Sequence, residues 1–169
     1  MSTQAGTLRI RKYRKQDAIP VGRLVARTYR RFNMAELPAQ EQDTLLGPFL
    51  HAESADPTHQ QAIAAALRSP MMYIATIDHE IVGVLRGREN VLASLFVSER
   101  VHRRGIARML VEQFESESRK LGISWIRVAS TEYAIPFYQA VGYKKTTGLR
   151  NLRSFGGTGL RYQPMKKQL

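Results

Sequence analysis

The chain has 169 residues, of which 43% are hydrophobic and 24% charged, and these values fit one globular domain spanning residues 1–169. The absence of cysteine excludes disulfides, thiolate metal sites and a cysteine nucleophile, and it fits a reducing cytoplasm. No apolar run approaches the roughly 20 residues of a membrane span, so we expect a cytoplasmic protein that does not cross a membrane.

The net charge of +12 is distributed unevenly along the chain. Residues 101–169 contain thirteen Lys and Arg residues but only four Asp and Glu residues. A basic region of this kind favours an anionic partner. A nucleic acid, a phosphorylated cofactor and an acidic membrane surface would all satisfy that preference, because charge alone does not distinguish them.

The first half of the chain predicts a strand, two helices and a β-meander. Asp17 stands where it would cap the first helix, whose apolar residues recur at helical spacing. Pro38, Gly47 and Pro57 interrupt residues 33–57 and predict irregular structure there. The elements expected are a strand at 8–11, helices at 17–29 and 58–67, and strands at 71–77, 80–86 and 90–97.

The second half predicts the clearest helix, with Ile106, Leu110 and Phe114 on its apolar face and Glu115 among the residues of its polar face. The elements expected are helices at 104–121 and 134–140, and strands at 124–129, 143–147 and 160–165. A glycine-rich segment joins the last two strands, and residues 165–167 are expected to end in a solvated tail. The resulting order, β-α-α-β-β-β-α-β-α-β-β, is that of a mixed α/β chain of the α+β type.

A strand, a turn and a helix start follow one another over residues 95–108. A helix N-terminus leaves backbone N–H groups unpaired and carries a partial positive charge. The small residues Gly105 and Ala107 would let a pyrophosphate approach those N–H groups closely. Arg103, Arg104 and Arg108 add positive charge around the same point, with a solvated helix face as their alternative role. The segment therefore predicts a site for a phosphorylated ligand.

This segment resembles motif A of the GNAT N-acetyltransferase superfamily. The motif has the form Gln/Arg-x-x-Gly-x-Gly/Ala, and here it is His102-x-x-Gly105-x-Ala107. Residues 131–143 (TEYAIPFYQAVGY) are similar to motif B, Asn-x-x-Ala-x-x-hydrophobic-Tyr-x-x-x-Gly-Phe/Tyr. The opening strand and the element order match as well, so the resemblance covers most of residues 8–165. It implies the GNAT fold, a mixed central sheet of about seven strands that splays between strands 4 and 5.

The resemblance also implies a reaction, with acetyl-CoA as the acyl donor and direct transfer to an amine without a covalent enzyme intermediate. Pantetheine would pair with the fourth strand like an extra strand, and one backbone N–H there would polarise the thioester carbonyl. Tyr138 aligns with the tyrosine that protonates the departing thiolate, with packing beside Phe137 as its alternative role. The implied cofactor-binding residues are Leu95, Phe96, Val97, His102, Arg103, Arg104, Gly105, Ile106, Ala107, Arg108 and Thr131.

Three positions depart from the family pattern. His102 replaces the usual Gln or Arg, and we expect it to tune cofactor affinity because backbone amides hold most of the pyrophosphate. Thr131 replaces the usual Asn and would either donate a hydrogen bond toward pantetheine or cap the next helix. Val91 stands where histone-type members carry a catalytic Glu. Glu89 lies two residues earlier, on the same strand face by period two, and is the candidate base, acting directly or through water.

The acceptor side of the site is less defined by the sequence. Tyr29, Phe32, Asn33 and Phe49 fall in the region that covers the acceptor in this family, with core packing as their alternative role. We expect the acceptor to be a primary amine of a small molecule or a short peptide-like molecule. A protein N-terminus or lysine is the alternative. The basic surface would disfavour a polycationic acceptor by like-charge repulsion.

Two other functions remain open from the sequence. One is a basic nucleic-acid-binding module, which is disfavoured because the chain has no helix-turn-helix pattern, paired zinc ligands or RNP-type aromatic run. The other is a family member that binds CoA without catalysing transfer. His51, His59 and His79 lack metal-ligand spacing, so no metal is assigned. We expect no membrane partner, and a homodimer is left open.

Overall fold

The computed structural model describes residues 6–169, which form eight strands and five α-helices. The strands are β1 (Leu8–Lys12), β2 (Met71–Ile77), β3 (Glu80–Arg88), β4 (Val91–Val97), β5 (Trp125–Thr131), β6 (Lys144–Lys145), β7 (Arg150–Ser154) and β8 (Gly157–Gln168). The helices are α1 (Ala18–Asn33), α2 (Ala39–Leu46), α3 (Pro57–Leu67), α4 (Ile106–Lys120) and α5 (Ile135–Ala140). No helix within residues 6–169 is both long and apolar enough to cross a membrane.

All eight strands belong to one sheet, in the order β1-β2-β3-β4-β5-β8-β6, with β7 pairing to β8 beside this path. The pair β4–β5 is parallel, and the other pairs described are antiparallel. The architecture confirms the expected mixed fold, with one strand more than the seven predicted. The parallel pair in the middle of the sheet places the ends of β4 and β5 at the same edge.

Helices cover both faces of the sheet and enclose two hydrophobic cores. On one face, α4 and α5 bury Leu110, Phe114 and Tyr143 against strands β2 to β5 and β8. On the other face, α1, α2 and α3 pack against β2 and β3. Helices α1 and α3 approach closely at Gly22, where an added Cβ would lie 2.7 Å from the Ile63 side chain. The buried strands therefore carry apolar residues on both faces, as β2 does.

Two elements appear that the sequence did not predict. Helix α2 lies within the segment expected to be irregular, and only Leu45 and Leu46 of its residues are buried. Strand β7 forms a hairpin with β8, and Ser154 Oγ donates a hydrogen bond of 3.0 Å to the Leu45 carbonyl. Neither element has a strong periodic pattern of its own, because β7 is stabilised by pairing with β8 and α2 by packing against β7 and β8.

The C-terminal residues form an inner strand rather than the expected solvated tail. Strand β8 continues to Gln168 and pairs with β5 along its length. Lys167 Nζ lies 2.8 Å from Glu115 of α4, whose side chain is 4% exposed. Glu115 lies on the polar face of α4 and pairs with Arg119 as predicted, but the chain end folds back over that face and buries Glu115 in an ion pair.

The prediction that Asp17 caps α1 was also wrong in detail. Its side chain makes no hydrogen bond to the helix start and instead accepts from the Arg14 N–H and, twice, from the Arg11 guanidinium. Burial alone would raise the pKa of this carboxyl, but the hydrogen bonds from Arg11 and Arg14 outweigh it and hold the pKa below its usual value.

Candidate active site

Strands β4 and β5 separate after only two paired positions. Val91 and Leu92 pair with Arg127 and Val128, and beyond them each strand continues without the other. A β-bulge at Ala93 shifts the β3–β4 register at this point, and bulges bend the strand that carries them. The C-terminal half of β4 therefore has no strand on its β5 side. Its backbone groups there are free to pair with an extended ligand.

The turn after β4 prepares the N-terminus of α4 for an anion. Arg103 and Gly105 both adopt left-handed backbone conformations, with φ of 62° and 77°. Gly105 occupies the position before the helix, so α4 begins at Ile106, two residues later than predicted. Left-handed residues in a turn direct successive backbone N–H groups toward one concavity. Here that concavity lies next to the positive end of α4. The arrangement fits a pyrophosphate group.

His102 ties this turn to the end of β4. Its Nε2 donates a hydrogen bond of 2.8 Å to the Val97 carbonyl, since a carbonyl oxygen only accepts. The imidazole ring also packs on Phe32 of α1, with ring centroids 4.9 Å apart. Phe32 in turn stacks on Tyr133, again at 4.9 Å. Three aromatic rings thus connect α1, the turn and the start of α5.

The gap between β4 and β5 opens into a cavity of about 530 Å³, a volume suited to small ligands. The turn before α4 and the end of β4 form one side of the cavity. Helix α1 and the segment that leads into α5 form the remaining walls. The lining residues named so far are Phe32, Asn33, Leu95, Phe96, Val97, His102, Arg103, Gly105, Ile106, Ala107, Arg108, Thr131, Tyr133, Phe137 and Tyr138.

The sequence profile of the acetyltransferase (GNAT) domain matches residues 39–169 of the chain. The chain belongs to this family. Members transfer acetyl groups to amines and use acetyl-CoA as donor, so the protein is an N-acetyltransferase. The free edge of β4 and the concavity at Gly105 fit the pantetheine and the pyrophosphate of that donor.

Several solved structures share this fold. A GCN5-related N-acetyltransferase from Rhodopseudomonas palustris matches with a TM-score of 0.79 at 19% identity, over 100% of both chains. The PaiA N-acetyltransferase from Thermoplasma acidophilum, in complex with coenzyme A, matches with a TM-score of 0.65 at 17% identity, over 96% of this chain and 99% of that one. The ribosomal-protein-S18-alanine N-acetyltransferase from Escherichia coli has a TM-score of 0.62 at 13% identity, over 96% and 94%.

Tyr138 of this acetyltransferase lies at the inner end of the cavity, where its side chain is 5% exposed. The ring packs edge-on against Phe137 and Tyr143, with centroids 5.2 and 5.6 Å away. Burial raises the pKa of the Tyr138 phenol well above its ordinary value. The hydroxyl therefore keeps its proton throughout the neutral pH range, which is the state that a general acid requires.

Of the four residues predicted on the acceptor side, two line the cavity. Phe32 and Asn33 do so, and the Oδ1 atom of Asn33 is buried without a hydrogen-bond partner. Tyr29 instead packs edge-on against Phe96 at 5.8 Å, and Phe49 lies in the core against Phe155. The rings of Tyr29 and Phe49 pack α1 and the β7–β8 hairpin against the rest of the fold. These two residues therefore stabilise the structure behind the cavity and do not line it.

Three predicted placements differ from the structure. Glu89 was expected on the face of β4, but it lies exposed in the β3–β4 turn with a φ of 47°, at the other end of the strand from the cavity. Arg104 is exposed and does not line the cavity. Thr131 lines the cavity but does not cap the following turn with its side chain. Because Glu89 lies in a turn, the period-two alternation of side chains that placed it on the face of β4 does not apply to it.

The cavity also includes residues that the sequence did not single out, namely Thr28, Val101, Ala134, Phe137 and the ring of Tyr133. Thr28 precedes Phe32 by one helical turn, so the two share a face of α1. Ala134 and Phe137 flank Tyr138 within motif B. Helical spacing would therefore have found Thr28 and Ala134, which precede Phe32 and Tyr138 by four positions, but it does not mark Val101 or Tyr133.

Proposed function

We propose that this enzyme transfers the acetyl group of acetyl-CoA directly to the primary amine of a small molecule or a short peptide-like acceptor. The observation that carries the proposal is the continuity of the cavity. The free edge of β4, Tyr138 and the α1 residues Thr28 and Asn33 all line the same volume of about 530 Å³. A volume of that size supports a small or slender acceptor rather than a folded protein surface.

Acetyl-CoA, when bound, supplies an activated acetyl thioester. Free backbone N–H groups of β4 would polarise its carbonyl, which is the point where negative charge develops during attack by the amine. Tyr138 would then protonate the departing thiolate as general acid. The chain contains no cysteine, so it offers no thiol for a covalent acetyl-enzyme. These features support direct transfer in a single site.

Asn33 is proposed to receive the acceptor amine. A buried carbonyl oxygen without a partner is costly, and an N–H group of the acceptor would satisfy it. Replacement of Asn33 by Leu keeps a similar volume and removes this oxygen. We expect the variant to be slightly more stable, to bind acetyl-CoA as before, and to raise KM for the amine by roughly tenfold, the value of one hydrogen bond. An unchanged KM would remove Asn33 from the acceptor site.

Charge restricts the acceptor further. Among residues 6–169, those that line the cavity include His102, Arg103 and Arg108 but no Asp or Glu. A polycationic acceptor would therefore meet repulsion without a compensating carboxylate. We propose an acceptor with a single amino group on an apolar or neutral body, which the aromatic wall of Phe32, Tyr133 and Phe137 would contact.

The decisive experiment is a panel of amines incubated with acetyl-CoA, with release of free CoA thiol as the signal. The panel contains aryl-alkyl monoamines, amino acids, short peptides with free N-termini, lysine peptides and polyamines. Highest turnover of a monoamine or a short peptide supports the proposal. Highest turnover of polyamines would contradict the charge argument. Thermal stabilisation by acetyl-CoA without thiol release from any member would indicate a CoA-binding protein that does not catalyse transfer.

A further inference from the structure

Strand β5 is covered by helices on one face only. Its residues alternate between buried and exposed, with Ile126 and Val128 buried in the core below α4. Arg127 and Ala129 are exposed on the opposite face. Helices α1 to α3 enclose the second core on that side of the sheet, but this core contains no residue of β5 or β6. The side chains on the open face are therefore available to a partner.

Three cations lie side by side on this open face. Arg127 of β5 pairs in register with Lys166 of β8, and Lys166 pairs on its other side with Lys144 of β6. Residues in register share a face of the sheet, with Cβ atoms about 4.5–5.5 Å apart. We call these three residues the cationic row. Like charges directly opposite one another destabilise a sheet, so the row costs stability unless an anion lies on it.

The protein does not neutralise the cationic row with its own carboxylates. Within residues 6–169, every ion pair involves other side chains. Lys167 points to the opposite face and pairs with Glu115, and Glu89, in the turn before β4, forms no ion pair. Lys166 lies over the Trp125 ring, 4.0 Å from its centroid. The row therefore keeps a positive charge that an anionic partner would neutralise.

The open face leads from the cationic row to the cavity. Thr131, which lines the cavity, lies on the same strand four residues beyond Arg127 and shares its face by period two. At about 3.3 Å per residue, the two positions are about 13 Å apart. The small side chains of Ala129 and Pro164 pair in register between them. An extended peptide would cover this path in about four residues.

We propose that the cationic row binds acidic residues of a peptide acceptor whose N-terminal amine enters the cavity. This inference rests on the proposed function and names the class of acceptor within it. The residues inside the cavity carry a single amine and are neutral, and Asp or Glu residues follow from about the fourth position onward. A peptide is favoured over a nucleic acid because ordinary nucleotides carry no aliphatic amine. In addition, the chain's single tryptophan, Trp125, already has Lys166 over its ring, where a base would stack.

The test measures kcat/KM by thiol release for matched peptides of about eight residues. They have the same neutral start and one amino group, and they carry Glu, Gln or Arg from the fourth position onward. We expect the Glu peptide to exceed the Gln peptide by roughly tenfold, the value of two exposed ion pairs, and the Arg peptide to fall below both. The difference should lie in KM, and it should shrink to less than about twofold in about 1 M salt, where charges are screened within about 3 Å. Equal kcat/KM for all three peptides would overturn the proposal.

Arg127→Glu and Arg9→Glu form a matched pair of variants. Within residues 6–169, both arginines are exposed on strands and neither forms an ion pair, but Arg9 lies on β1, at the far end of the sheet from β6. Arg127→Glu should lose the preference for the Glu peptide and turn over the Arg peptide faster than the wild type does, a gain that misfolding cannot produce. Arg9→Glu should keep the wild-type order. The same order of peptides in both variants would overturn the proposal.

Trp125 reports binding at the cationic row without any turnover. Because Lys166 lies over its ring, an anion that draws Lys166 away should change the emission of this single tryptophan. A saturable change with the Glu peptide but not with the Gln peptide supports the proposal. No change with either, or tighter binding of a single-stranded oligonucleotide than of the Glu peptide, would overturn it. Failure of the proposed function looks different, because the Glu peptide would still change the emission although no peptide released thiol.

Discussion

Two glycines with the same φ allow the cofactor site to be tested apart from stability. Gly105 and Gly122 both have a φ of 77°, and an added Cβ at either would meet no heavy atom within 4 Å. Gly105 lines the cavity, whereas Gly122 follows the far end of α4. Alanine at either position therefore introduces the same backbone strain and no steric clash, but only one of the two methyl groups enters the donor site.

The magnitudes follow from this geometry. A non-glycine residue in the left-handed region costs about 1–2 kcal/mol. For a protein of this size that lowers Tm by about 2–8 °C, and we expect the same shift for Gly105→Ala and Gly122→Ala. The methyl group at 105 also keeps the pyrophosphate from the amides of α4. Loss of one charge-assisted hydrogen bond, worth about 1.5–3 kcal/mol, weakens acetyl-CoA binding by roughly 10- to 100-fold.

Calorimetric titration of acetyl-CoA into both variants checks this expectation, and thermal unfolding without ligand checks the equal strain. Gly105→Glu extends the series, because a carboxylate at that point would repel the pyrophosphate and should abolish detectable binding. If Gly105→Ala and Gly122→Ala bind acetyl-CoA with equal affinity, the pyrophosphate does not lie on this turn. The assignment of the donor site would then be wrong.

Four other perturbations probe the catalytic acid, its neighbour and the buried charges. Tyr138→Phe should lower kcat by roughly 100-fold at unchanged acetyl-CoA affinity, measured by steady-state thiol release. Tyr143→Phe, its neighbour, removes a buried hydroxyl without a partner and should leave kcat unaltered while raising stability by about 1 kcal/mol. Lys167→Met leaves Glu115 buried with only Arg119 at 3.8 Å, so we expect a loss of about 3 kcal/mol in denaturant unfolding, recovered when Glu115→Met is added. The lowered pKa of Asp17 means that its ion pair stabilises the fold above about pH 4 and is lost as pH falls, and Asp17→Asn should flatten stability over this acid range.

The phosphate-binding turn was predicted from the residues themselves, by Gly105 at a helix start, and that glycine does have a positive φ. The separation of β4 and β5 was implied only by the family resemblance, and the structure has it. Motif B likewise located Tyr138. The position of Glu89 was not predictable in the same way. Period-two alternation places it on the same face of β4 as Val91, but β4 begins only at Val91. Glu89 lies in the turn before it, where the alternation of side chains does not apply.

The acceptor half could not be predicted because long-range packing assembles it. Helix α2 and strand β7 left no clear local pattern; β7 is held by pairing with β8, and the bond from Ser154 to Leu45 joins it to α2. Helix α1 packs against α3 and the sheet, and from it Phe32 reaches His102 and Tyr133. A residue that a family pattern assigns to cofactor affinity therefore contacts the ring of Phe32, which lies 70 positions earlier in the chain.

This contact has a consequence for how the two substrates are coupled. The His102 ring is bound at one edge to the strand that would hold pantetheine and at one face to the helix that would hold the amine. A donor that orders the end of β4 would fix the ring, and a fixed ring completes the acceptor site. The physical expectation is that acetyl-CoA binds first and raises affinity for the amine, and linkage requires the amine to raise affinity for acetyl-CoA by the same factor.

Replacement of Phe32 by Ala would remove the ring contact between α1 and His102 while keeping His102 and Val97, the two residues that form the hydrogen bond. Coupling between the substrates, measured as the ratio of acetyl-CoA dissociation constants with and without amine, should then approach one, and a ratio unchanged from the wild type would show that the stack does not carry it.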